Sequence, residues 1–170
     1  MANLPFFRFV IMLLCSGLLI SCSKSNDQRK FEKQALSFPE NITEYNANGQ
    51  PIENRDDPDD WRIGPDFSGL IKIQTPAHPN PVNLNSSITI DIDVAGFEAI
   101  NGLEIYVFRD PANLIGPIFI SDQSPLPPGV TTVILDPSQF AQSGSGSQLY
   151  RILIYDNREN LISYGDLQVN

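Results

Sequence analysis

Ser87-Ile88-Thr89-Ile90-Asp91-Ile92-Asp93-Val94 decides the fold. Side chains of a strand alternate between two faces, so this octapeptide puts three Ile on one side and Thr89, Asp91 and Asp93 on the other. The alternation accounts for the two carboxylates as the wet face of a half-buried strand, without invoking a paired-acid site. Working outward, residues 70–74, 103–109, 114–121, 130–135, 149–155 and 161–169 are further β-branched or aromatic runs, separated by Pro, Gly, Asn and Asp. Seven short strands in about 100 residues predict an all-β domain over residues 69–170, an immunoglobulin-like antiparallel β-sandwich. Pro117 has no N–H for a ladder, which assigns its run to a sheet edge. Tyr150 follows the polar loop 136–148 at the place where such sandwiches carry a tyrosine whose hydroxyl bonds back to the backbone of the preceding corner.

Two strand runs are apolar on both faces. With Ile105, Val107, Tyr150, Ile152 and Ile154 pointing inward, Tyr106, Phe108, Leu153 and Tyr155 point outward, and Ile162 and Tyr164 of the last run are expected beside them. That aromatic outer face is the candidate binding surface, because a patch of its size on a monomer marks a contact. Two coverings stay open: the preceding segment folded back with Phe38, Tyr45 or Trp61, or an external protein or glycan.

Residues 22–68 differ in composition, being rich in Ser, Asn, Gln, Asp, Glu and Lys. They are expected to be mostly disordered tether. Asp27 is placed to cap a short helix bearing Phe31 and Ala35 that Pro39 would end, but isolated helices under roughly 12 residues are marginal in water. Asn48-Gly49 is a turn signal around which residues 42–45 and 51–52 can pair. As coil, the 39 residues from Cys22 to Trp61 would reach roughly 35 Å. The acidic run Asp56-Asp57-Pro58-Asp59-Asp60 lacks the alternation, central Gly and distal Glu of an EF-hand loop, so it is expected as a solvated loop. Trp61, the sole Trp, is expected to be buried and to pin the segment to the domain.

At the amino end, Arg8 precedes an apolar run from Phe9 to Ile20, shorter than the roughly 20 residues a membrane-spanning helix needs. Leu19-Ile20-Ser21-Cys22 then resembles the lipobox of bacterial lipoproteins. The resemblance implies that residues 1–21 are a cleaved signal peptide and that the Cys22 thiol carries diacylglycerol. It also implies a new amino terminus acylated, for example with palmitate, and a chain held to a membrane by lipid. Cys15 is the poorer acceptor, since bulky Leu14 stands where that family has a small residue. Enterobacterial members with Asp after the Cys stay in the inner membrane, so Ser23 implies the outer membrane. Periplasmic and surface orientations both remain open, because Lys24 comes before the first acid, Asp27.

Ala77-His78-Pro79-Asn80-Pro81 and the strands after it resemble the carboxy-terminal sorting domain of type IX secretion cargo in Bacteroidota. The resemblance implies a related sandwich and a Bacteroidota source; Arg109-Asp110-Pro111 and the residues before Leu149-Tyr150 depart from that family's turns, and no secretion-signal role is carried over.

The full chain has 11 basic and 20 acidic residues, a net charge of −9, which excludes an electrostatic partnership with nucleic acid. A lipidated Cys22 would leave no mature thiol for a disulfide or a metal. Catalytic signatures are missing: His78 is the sole His, in a turn-prone stretch, and neither a nucleophile elbow nor a phosphate loop occurs. No cofactor or metal is expected. These residues lead to a non-catalytic, lipid-anchored envelope module that contacts a protein partner, as an accessory subunit of an outer-membrane assembly. Glycan binding on the aromatic face is the alternative, and a carboxylate-based hydrolase the lesser one.

Overall fold

A computed structural model describes residues 24–53, 55–144 and 146–170. Residues 1–23, with the expected signal peptide, Cys15, Cys22 and Ser23, lie outside the described residues. Seven antiparallel strands form two sheets packed face to face, an immunoglobulin-like β-sandwich. They are β1 (Ile71–His78), β2 (Ile88–Val94), β3 (Glu104–Phe108), β4 (Ile115–Ile120), β5 (Gly129–Leu135), β6 (Gln148–Tyr155) and β7 (Leu161–Val169). One sheet has the order β1-β2-β5, the other β4-β3-β6-β7.

β2 is built as its alternation requires. Ile88, Ile90, Ile92 and Val94 are buried. Asp93 pairs with Lys72 on β1 at 3.0 Å, and Asp91 accepts a 2.7 Å bond from Thr132 on β5. Across the sandwich these residues meet Ile105, Val107, Tyr150, Ile152 and Ile154 in one core. The β4 run containing Pro117 is an edge strand, as a residue without an N–H demands. β1 runs further than the sequence suggests, carrying Pro76 through to His78, because register shifts on either side of Thr75 relieve the ladder at the proline. Tyr150 is buried against Phe140, ring centroids 5.2 Å apart, and its hydroxyl donates to the Gln148 side chain at 2.7 Å instead of to the corner backbone.

The β7 edge is covered twice. Along its first half, Trp61 N–H donates to Tyr164 O and Gly64 N–H to Ile162 O, and Ile63 bridges Ser163. At its carboxy end Val82 bridges Val169, and buried Asn80 ties Tyr45, Thr43 and Asp166 together. The connection leaving β1 therefore lies beside β7. The β1 and β7 edges share one side of the sandwich, and the β4 and β5 edges form the other.

The stretch expected as tether is, from Lys24 on, folded against the sandwich. Helix α1 (Asn26–Ala35) begins at Ser25, whose hydroxyl accepts from Gln28 N–H; the cap is Ser25, and Asp27 sits in the first turn. The turn at Asn48-Gly49 forms, with Tyr45 bridging Pro51 around it. Trp61 is buried, its ring lying over Gly165. A ten-residue helix is not stable alone. Its stability comes from what it covers.

Candidate functional site

Phe31 and Ala35 lie one helical turn apart on α1 and bury a second apolar cluster with Phe108, Leu153, Leu161 and Tyr164; Tyr106 and Tyr155 pack at its margin, half exposed. This is the aromatic outer face expected from the sequence, closed by the chain's own amino-terminal segment through Phe31 and Ala35 rather than through Phe38 or Tyr45. Phe31 meets Tyr164 at 5.1 Å between centroids, and Tyr106 meets Tyr155 edge-on at 5.7 Å. Ile162 does not belong to the face. A register shift between Ile154 and Tyr155 breaks the alternation of β7 there, and Ile162 turns into the inner core.

A buried charge pair holds the covering in place. Arg151 on β6 and Asp166 on β7 face each other across the ladder and bond in a bidentate fork, Nε to Oδ1 at 2.6 Å and Nη2 to Oδ2 at 2.7 Å. The remaining Arg151 nitrogen, Nη1, donates to Gln34 O, Ser37 O and Ser37 Oγ at 3.1, 3.3 and 2.9 Å. A guanidinium thus caps the carboxy end of α1, where free carbonyls and the helix dipole favour a cation. The same group lies 5.0 Å from the Tyr164 ring centroid, on whose hydroxyl Arg62 also donates at 2.8 Å. Burial pushes the Asp166 carboxyl up from its ordinary range, while its hydrogen bonds to Arg151 pull it down. Burial works to lower the Arg151 pKa, but the hydrogen bond and charge of Asp166 outweigh it and the net direction is up.

Asp60 completes the network. Its two carboxylate oxygens accept from Thr43 N–H and Asp166 N–H, both at 2.8 Å. Burial, with the nearby Asp166 charge adding to it against the backbone bonds, pushes its pKa up to about 7. The last residue of the acidic run is thus drawn inward and is not part of a solvated loop. Among the described residues no group of three His, Cys, Asp or Glu is placed to hold a metal ion. His78 is half-buried with Nδ1 2.9 Å from Pro76 O, a local backbone contact.

Neither Arg151 nor Asp166 is among the residues expected at the site from sequence. Their signal was present: each is the sole charged residue of its strand, at an outward position beside aromatic and aliphatic side chains.

With that face closed, exposed apolar side chains concentrate elsewhere. Ile115 and Ile120 on β4 and Val130 and Ile134 on β5 are exposed, Ile134 at 65 %. They lie on the two strands that end their sheets on the side away from β7. The molecule is thus a β-sandwich strapped along one face by its own helix α1, with the β4–β5 side uncovered by any of the described residues. No protein-family model, curated protein or solved structure matches the chain.

Proposed function

We propose that the protein is a non-catalytic, lipid-anchored module of the bacterial outer membrane, held through Cys22, whose sandwich docks a protein partner along the β4–β5 side. The single observation that carries the docking surface is the pair of edge strands bearing exposed Ile115, Ile120, Val130 and Ile134. Unpaired edges with apolar side chains are what a partner's strand or apolar ridge adds to. The anchor rests on Leu19-Ile20-Ser21-Cys22 and its resemblance to a lipobox. Glycan binding loses the feature that favoured it, since Phe108 and Tyr164 are buried beneath α1. The Asp60 and Asp166 carboxylates are taken up by backbone N–H groups and Arg151, which speaks against this buried pair as hydrolytic acids.

Photocrosslinking in intact cells tests the reading. A crosslinker at Ile134 yields a discrete adduct and one at Arg29, on the exposed face of α1, does not. Ile134→Asp abolishes the adduct formed from a crosslinker at Val130 with unchanged thermal stability. Equal adducts from both faces, or none from either, would overturn the docking surface. Cys22→Ser is expected to lose lipid labelling and membrane retention; unchanged retention would remove the anchor.

A further inference from the structure

The described chain begins at one end of the sandwich. Lys24 Nζ donates to Glu159 O in the β6–β7 turn at 3.4 Å, and Ser25 Oγ donates to Asp66 at 2.8 Å. At that same end β1 starts, β2 finishes, and the β2–β3 and β4–β5 connections cross. These pieces form one platform. Ala95 N–H bonds Leu70 O, and Leu126 N–H bonds Ile100 O, each at 2.9 Å. Arg158 of the β6–β7 turn reaches the Asn101 amide oxygen at 3.1 and 3.3 Å in the amide orientation that satisfies both groups.

At the tip of the β2–β3 connection stands Phe97, 88 % exposed, with Leu70 exposed beside the base of the same loop. Glu98, in the left-handed conformation at φ 57°, turns the chain directly after it. A phenyl ring this open contributes nothing to the core. Cys22 is two residues before Lys24, so the Cα atoms can be no more than about 7 Å apart. Any lipid on Cys22 therefore enters the bilayer beside this platform.

We infer that this end of the sandwich rests in the headgroup layer, with Phe97 inserted at the acyl boundary and Leu70 against it. The inference rests on the lipid-anchor reading and adds to it an orientation and a second, apolar membrane contact. Apolar side chains at such boundaries sit about 5–10 Å into the interface. Charge does not drive the contact: at this end Asp66, Glu98, Asp122 and Glu159 outnumber Lys24 and Arg158, so the binding needs no anionic lipid.

The test uses the full lipoprotein carrying Phe97→Trp, reconstituted into phosphatidylcholine vesicles containing lipids brominated high on the acyl chain. The wild-type protein supplies the background of buried Trp61, and Ile134→Trp, near the far end of β5, is the control. Trp at position 97 is expected to emit to the blue of its emission in detergent-free buffer after proteolytic release, and to lose intensity to brominated lipid; Trp at position 134 is expected to do neither. Emission at 97 that stays water-like and unquenched, in a preparation whose mass spectrum shows lipid on Cys22, overturns the inference and leaves the anchor standing. A mass spectrum without lipid on Cys22 overturns the anchor reading, and this inference falls with it.

Discussion

Replacing Arg151 by Met separates the covering of the aromatic face from the stability of the sandwich beneath it. The Arg151 side chain is 8 % exposed and that of Asp166 1 %, so the substitution leaves a carboxylate buried with its bidentate partner gone. Breaking a buried pair from one side costs about 3–5 kcal/mol. A domain of this size holds about 5–15 kcal/mol in all, so the loss corresponds to a fall in Tm on the order of 10 °C. Arg151→Met/Asp166→Leu removes both charges and is expected to cost less than Arg151→Met alone. What it still loses is the cap on Gln34 O and Ser37 O, groups at a helix end that water can reach. Urea unfolding followed by circular dichroism gives the two free energies, and hydrogen exchange reads the amides of α1 directly. Protection should fall first in α1 and only later in β6 and β7. A cost for Arg151→Met below about 1 kcal/mol, or a double variant costing the sum of the two single ones, would refute the assignment of the pair as the clasp of α1.

The Asp60 carboxyl makes stability depend on pH. Its folded pKa of about 7 lies above the unfolded value of 3.8, so the folded state holds the extra proton and stability falls as pH rises from about 4 to 7. Asp166, also raised, acts in the same direction, whereas the Asp136 cap, lowered by its hydrogen bond with the Ser138 side chain, opposes them only below about pH 4. Denaturant midpoints across that range check the slope, and Asp60→Asn should flatten it; a wild-type midpoint that climbs between pH 4 and 7 would contradict the burial of Asp60. Gly165→Ala places a methyl group into the Trp61 indole, and an overpacked site of this kind costs about 1–3 kcal/mol. Thermal melts measure it, and an unchanged Tm would show that Trp61 does not lie over Gly165.

The strands were legible because period-two alternation is a local property: Ile88, Ile90 and Ile92 announce their shared face within five residues. The same rule placed Tyr106, Phe108, Leu153 and Tyr155 on the outer face, and it failed at Ile162, where a bulge adds a residue that no local pattern marks. The covering helix was harder to read for a different reason. Its apolar content is little more than Phe31 and Ala35, and its other holds on the sandwich are polar and distant. Buried Gln28 donates to Leu161 O across 133 residues, and the carbonyls of α1 meet Arg151 across more than 110. Composition reports such a segment as tether, because most of what stabilises it lies far away in the sequence. Asp60 was missed in the same way: its neighbours are acidic and solvated, and only Thr43 and Asp166 distinguish it.

The folded strap changes what an anchor at Cys22 would allow. Coil from residue 22 to 61 would have let the domain roam roughly 35 Å from its lipid. With Lys24 already bonded to the β6–β7 turn, that freedom shrinks to about 7 Å of chain. Strands of up to nine residues, rising about 3.3 Å each, make the sandwich about 30 Å tall, and β4 and β5 run along that height. Ile120 and Val130 lie toward the end that carries Lys24 and Ile134 toward the far one, since Glu104 pairs with both Ile120 and Tyr155, and Val130 pairs with Asp93. Under the proposed anchoring, a partner docked on this side would have to present its complementary edge within about one domain height of the bilayer, which would suit a protein itself seated in or fastened to the same membrane.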